Sequence, residues 1–195
     1  AALHTSWKVA VNLLEYASGI ASRTARIVTA AREINPCIAV LTTRKNFPGT
    51  KKLAIKAICS GGALPHRLGL SETILVFKQH TTFLGGLNAF LGQIDILKQQ
   101  AIETKIIIEA DTPEEALQIA RSGADVVQVD KMAPAELTRL LDEIRQINPA
   151  IKISAAGGIN EQNAAEYAAT GVDILVLSSV YFGKPADIGA SITAA

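Results

Sequence analysis

Two stretches of the chain, GADVVQV at 123–129 and GVDILVL at 171–177, repeat one plan: a glycine that closes a helix and then, at once, a β-branched run. Glycine suits that place because it tolerates the left-handed backbone that commonly ends helices. Runs this uniformly apolar fit strands covered on both faces, as in parallel sheets. Further β-branched runs predict strands at 38–41, 74–77, 105–109, 125–129, 151–155 and 173–177. Between them lie helical stretches at 51–59, 113–121, 134–147 and 161–169, two of which open with Pro113 and Pro134 at a tolerated first-turn position. Asp111 or Thr112 is the expected cap of the first of these two. Strand and helix alternating at this spacing predict an α/β fold: a parallel (β/α) barrel, TIM-like, whether closed or incomplete. The opening stretch 7–34 reads as one long helix bent at Gly19. The barrel domain is expected over 1–183, followed by a tail at 184–195.

Apolar residues make up 49% of the 195 and charged residues 19%, which excludes a disordered chain. No apolar stretch approaches the roughly 18 residues that cross a bilayer, so no membrane partner is expected. Lys8 and Asn12 interrupt the first stretch that resembles a signal peptide, so a cytoplasmic protein is expected. Cys37 and Cys59 stand far from each other and from any His pair, so both read as buried or half-buried thiols. The net charge of +1 hides an asymmetry, since residues 1–82 carry eleven Lys/Arg against three Asp/Glu. Basic segments suit nucleic acid or a small polyanion. Aromatics are only 5% and the cations mostly stand singly, so a nucleic-acid partner is not expected.

Reacting groups in a parallel barrel cluster at the carboxyl ends of the strands. Just past the expected strands stand Arg44 and Lys45, then Lys78 and His80, Glu109 and Asp111, Asp130 and Lys131, Gly157 and Gly158, and Ser178 and Ser179. Cations, acids, a glycine pair and hydroxyls together suit a ligand with anionic groups and a divalent metal. Gly157 and Gly158, followed by Asn160 and a helix, can turn bare N–H groups toward a phosphate, or can be an ordinary tight turn. Glu109 and Asp130 offer hard oxygens for ribose hydroxyls or Mg²⁺, or else cap helices. Arg44–Lys45 and His66–Arg67 form two vicinal cationic pairs, which are costly unless an anion neutralises them.

The run TTRKNFPGTKKLAIKAICSGGALPHRLGLSE at 42–72 strongly resembles the signature of the quinolinate phosphoribosyltransferase family. EADTPEEA at 109–116, GADVVQVD at 123–130, AAGGIN at 155–160 and TGVDIL at 170–175 continue the likeness, and WKVAVNLLEYASGIAS at 7–22 looks like the helix that opens the family's barrel. The resemblance implies an Mg²⁺-dependent transfer of phosphoribosyl from phosphoribosyl pyrophosphate to a small carboxylic acid of the pyridine type, with release of pyrophosphate, as in NAD biosynthesis. It implies that Arg44, His66 and Arg67 hold the acid, with Lys78 nearby. Lys45 would meet the pyrophosphate, and Glu109 and Asp130 the ribose and Mg²⁺ as catalytic groups. Gly157, Gly158, Ser178 and Ser179 would hold the 5′-phosphate. It further implies a homodimer with Lys8 donated across the interface, and a small N-terminal sandwich domain, absent from this chain, on which the tail packs.

Several positions depart from the family pattern. Its substrate-contacting lysine falls on Phe77, one of its acids on Ile107, its serine before the glycine pair on Ala156, and its late phosphate-loop glycine and histidine on Ser178 and Phe182. Gln79 stands where the family has asparagine, and Lys8 keeps the charge of an arginine without its bidentate fork. The strings FPGTK, PHRLGLSET and YFGKP resemble a branch of the family encoded beside molybdate-transport genes, which raises a rival reading: a non-catalytic receptor for an oxyanion or a nucleotide. A third, a Schiff-base aldolase using Lys78 or Lys131, leaves Arg44 and Arg67 unexplained.

Overall fold

A computed structural model describes residues 2–193. In chain order the elements are α1 (Ala2–Ile34), β1 (Ala39–Thr42), α2 (Lys51–Ser60), β2 (Leu64–Pro65), β3 (Thr73–Val76), α3 (Lys78–Thr82), α4 (Leu87–Leu91) and α5 (Ile94–Gln100), then β4 (Lys105–Ala110), α6 (Pro113–Arg121), β5 (Val126–Asp130), α7 (Pro134–Ile147), β6 (Lys152–Ala156), α8 (Ala164–Ala169), β7 (Ile174–Leu177) and a 3₁₀ turn at Ser179–Tyr181. All strand pairs are parallel, in the order β2-β1-β7-β6-β5-β4-β3. The sheet curls without closing, because β2 and β3 remain its two edges while residues beside β1 and β3 line one cleft. It is an incomplete TIM-like α/β barrel.

Strand alternation sorts side chains between two cores. Ile106, Ile108, Val127, Val129, Ile153 and Leu175 face outward and are buried beneath the helices. Leu75, Ile107 and Val126 form a second buried cluster on the inner face, with Phe77 and Ile174 against it. This two-sided burial is why the strands read as continuous apolar runs.

The repeated plan has a physical stitch. Asp125 and Asp173 stand just before β5 and β7, and each accepts the N–H of the neighbouring strand, Ile106 at 2.9 Å and Ile153 at 2.9 Å. Lys105 pairs with the first at 2.9 Å, while Lys152 at 2.9 Å and Arg145 at 2.6 Å pair with the second. Burial pushes the Asp173 carboxyl up, but the Ile153 N–H, Lys152 and Arg145 outweigh it and hold the carboxyl below its ordinary range. A depressed folded pKa gives stability that is present above the unfolded value of about 3.9 and lost as pH falls through the folded one. Asp173→Asn should therefore cost about 1–3 kcal/mol at neutral pH. It should also weaken the pH dependence of the melting temperature below pH ~4. A variant melting with the wild type at neutral pH would show that the stitch carries no stability.

Differences from the sequence expectations have local causes. Helix α1 runs unbroken through Gly19, where a bend was expected. A Cβ there would lie 2.9 Å from the Lys184 carbonyl, so this glycine makes room for the tail. Ala186 N–H donates to the Glu15 carbonyl at 2.9 Å, laying the start of the tail along α1. Residues 194–195 of the expected tail lie outside the described residues. Strand β2 was missed because it is two residues long and contains proline, which only a sheet edge accommodates. Cys37 and Cys59 are exposed, not buried: the first sits in the turn after α1 and the second near the end of α2. Among the described residues no helix is long and apolar enough to cross a membrane.

Candidate active site at the carboxyl ends of the strands

One cleft of about 1270 Å³ opens at the carboxyl ends of the strands. Of the residues singled out from sequence, Arg44, Lys45, Arg67, Glu109, Asp130, Gly157, Gly158, Ser178 and Ser179 line it. Lys8, His66 and Lys78 do not.

The cationic wall comes from the loops after β1 and β2. Thr43 Oγ1 meets Ser178 Oγ at 2.8 Å and accepts the Lys45 N–H at 3.3 Å, which anchors the Arg44–Lys45 loop to the end of β7. Glu72 accepts the Leu68 and Gly69 N–H groups and shapes the loop carrying Arg67. The Arg67 guanidinium is held below its ordinary value by burial and then by the neighbouring charge of Arg44. His66 differs from the expectation of a second cationic pair. Burial, then Arg67, pushes its imidazole down to about 4, so it is neutral at physiological pH and leaves anion contact to the arginines.

The centre of the cleft is acidic. Gln128 Nε2 donates to Glu109 Oε2 at 2.8 Å, and Lys131 Nζ lies 3.2 Å from Asp130 Oδ2. Burial pushes the Glu109 carboxyl up, reinforced by Asp130 and Asp111 and opposed by the Gln128 hydrogen bond and Lys131. Among the described residues no group of three or more His, Cys, Asp or Glu side chains is placed to hold a metal. Two carboxylates nevertheless fit Mg²⁺, which commonly takes one or two from protein and the rest from water and substrate phosphates.

The glycine turn is built around a strained lysine. Lys131 has φ +56°, the sole non-glycine at positive φ among the described residues, and its N–H donates to the Ala156 carbonyl at 2.8 Å. Gly157, at φ +83°, lies against this turn, and a Cβ there would meet Asp130 Oδ1 at 2.4 Å. Gly158 has open space instead. Its carbonyl accepts from Asn160 Nδ2 at 3.0 Å and Asn163 Nδ2 at 3.2 Å. The expected helix from 161 begins only at Ala164, so the N–H groups at this turn belong to a loop and not to a helix end. The Ser179 hydroxyl donates to the Ile159 carbonyl at 2.8 Å, tying the last loop to the turn.

Gln128 and Thr43 are among the lining residues that went unmarked in the sequence. Gln128 had a signal, a lone amide on the alternate face of an otherwise apolar strand. Thr43 had none, and the left-handed backbone of Lys131 had none either, since loop-to-loop bonding and backbone sign leave no trace in residue type.

An open parallel barrel whose strand ends gather cations, paired carboxylates and a glycine turn offers the chemistry that suits phosphate-bearing, anionic small molecules. Residues 20–189 match the family described as quinolinate phosphoribosyl transferase, C-terminal domain, and the chain belongs to that family. It is 40% identical to ModD of Pasteurella multocida, provisionally named a pyrophosphorylase, over 95% of this chain and 66% of that protein. It is 31% identical to the carboxylating nicotinate-nucleotide pyrophosphorylase of Homo sapiens, over 92% of this chain and 60% of that one. NadC from Streptococcus pyogenes superposes with a TM-score of 0.80 at 26% identity, over 95% of this chain and 63% of that chain. The chain thus spans about two thirds of the length of the curated relatives it matches.

Proposed function

We propose that this barrel transfers phosphoribosyl from phosphoribosyl pyrophosphate to a small aromatic carboxylic acid and releases pyrophosphate. The observation that carries the reading is the single cleft in which Arg44, Lys45 and Arg67 face Glu109 and Asp130 beside the Gly157–Gly158 turn. A nucleophilic lone pair of the acceptor forms the bond to ribose C1 as the bond from C1 to the pyrophosphate oxygen breaks with its electron pair. The leaving group carries the charge away, and Lys45 with the arginines stabilises it as it develops. Arg44 and Arg67 orient the acid. Glu109 and Asp130 receive the ribose hydroxyls and would hold Mg²⁺, which when bound neutralises the pyrophosphate oxygens. Lys8 stands exposed on α1 with its Nζ 4.6 Å from the Trp7 ring centroid, outside its own chain's cleft. That position supports donation of Lys8 to a partner copy.

Calorimetric titration with phosphoribosyl pyrophosphate should give binding that strengthens with Mg²⁺ and falls with added salt. Absence of that binding, with molybdate taken up instead, would replace the transferase with an oxyanion receptor.

A further inference from the structure

The cleft is charged on one side and neutral on the other. Its unpaired arginines stand on the loops after β1 and β2, with Lys51 at the start of α2 and Lys131 after β5 paired to Asp130, whereas the β3 side presents Leu75, Phe77 and Gln79. Two basic side chains lie close in sequence to that neutral wall, and neither serves it. Lys78 opens α3 and turns to Asp111, its Nζ 3.4 Å from Oδ2. His80 spends its Nδ1 on the Phe77 N–H at 2.9 Å. Beneath Phe77 lies the inner apolar cluster of Leu75, Ile107 and Val126.

The adjoining floor holds an unused acceptor. Gln128 is 4% exposed, its Nε2 is committed to Glu109, and its Oε1 has no hydrogen-bond partner. Ser154, its register neighbour on β6, is 1% exposed and its Oγ is likewise unpartnered. Buried polar atoms are ordinarily satisfied, and two orphans on adjacent strands beneath a cleft mark a place where something else supplies donors. A carboxylate placed there would meet the Gln128 amide oxygen and the Phe77 ring beside the Glu109 carboxylate, while Lys131 is already paired with Asp130.

We infer that the acceptor is a monoanionic aromatic acid: its one carboxylate lies on the Arg44–Arg67 wall, its apolar edge on Leu75 and Phe77, and an N–H or O–H donor on Gln128 Oε1. This rests on the transferase reading and narrows it, because a second carboxylate has nowhere favourable to go. Discrimination follows from the repulsive side as much as from the attractive one.

The test titrates nicotinate, aminonicotinate and quinolinate into the whole chain, so that the result does not depend on turnover, with phosphoribosyl pyrophosphate titrated separately. Aminonicotinate should bind at least about tenfold more tightly than quinolinate. Phe77→Lys should move that ratio about tenfold toward the diacid. Gln128→Leu should erase the advantage of aminonicotinate over nicotinate, and Gln128→Glu should not restore it. Quinolinate preferred by the wild type, equal ratios in Phe77→Lys, or no binding by any of the acids would each overturn the inference. Loss of phosphoribosyl pyrophosphate binding in the wild type would instead remove the transferase reading beneath it.

Discussion

Replacing Gly157 by alanine should both destabilise the protein and empty the site, whereas the same change one residue later should spare the fold. At Gly157 an added Cβ meets Asp130 Oδ1 at 2.4 Å, Lys131 Cγ at 2.5 Å and the Lys131 backbone N at 2.9 Å. The backbone contact cannot rotate away, and φ +83° is itself strained for any residue with a Cβ. Left-handed strain and overpacking together cost about 3 kcal/mol or more. At 2–4 °C per kcal/mol for a chain of this size, that lowers the melting temperature by roughly 6–12 °C. The residue pushed aside is Asp130, and displacing a positioned group by about 1 Å can cost around a hundredfold in rate. Gly158 has φ +75° with nothing within 4 Å of its would-be Cβ, so alanine there carries only the left-handed strain of about 1–2 kcal/mol. The paired melts decide the matter: equal losses of melting temperature would show that the Lys131 turn does not press on Gly157.

This contrast also marks where sequence reading stops. Gly157 and Gly158 look alike as a pair after a strand, and both were read as a phosphate cradle. Only coordinates separate a glycine needed for close packing from one that opens on the cleft. The strands were legible because both faces of the sheet are covered, which makes β4 to β7 largely apolar. Helices α6 and α7 were legible through Pro113 and Pro134, and Thr112 caps the first by accepting the Glu115 N–H at 3.3 Å. Helices α3 to α5 were not, since each is too short for a periodic face to emerge over two turns.

The candidate site was legible at several charges near strand ends, though not at all of them. Arg44, Glu109 and Asp130 fall in the cleft because a parallel barrel puts all its strand ends on one side. His66 was overread: a histidine beside an arginine looks like a second cation, yet burial and that same arginine keep it neutral. Lys78 was expected near the acid, beside the position where Phe77 replaces the family's lysine, and it does not line the cleft. Strand β3 has already ended at Val76, and the turn into α3 carries Lys78 off to Asp111. Sequence gives the inventory of charges; which face each one takes depends on where the strand stops.

The second large effect should come from the arginine wall, with the opposite signature in stability. Arg44 is exposed and Arg67 half-buried, and the two repel in the ligand-free protein, since part of the downward pressure on Arg67 comes from Arg44. Removing either guanidinium takes away a repulsion and no packed apolar surface, so Arg44→Ala should melt with the wild type or slightly above it. Affinity behaves otherwise. A hydrogen bond to a charged group contributes about 1.5–3 kcal/mol, which at 1.4 kcal/mol per decade is roughly a 10–150-fold loss for inorganic pyrophosphate or for the acid. Arg67→Ala should match it, and the double variant should lose less than the product of the two, because both arginines grip one ligand and the free-state repulsion is relieved only once. Arg67→Lys should recover the salt dependence of binding but only part of the affinity, since the ammonium lacks the planar fork. Titration of each variant beside its thermal melt separates the cases. Affinity and melting temperature falling together would make the arginine pair part of the fold, whereas affinity lost at an unchanged or raised melting temperature would mean that the pair is strained until an anion arrives.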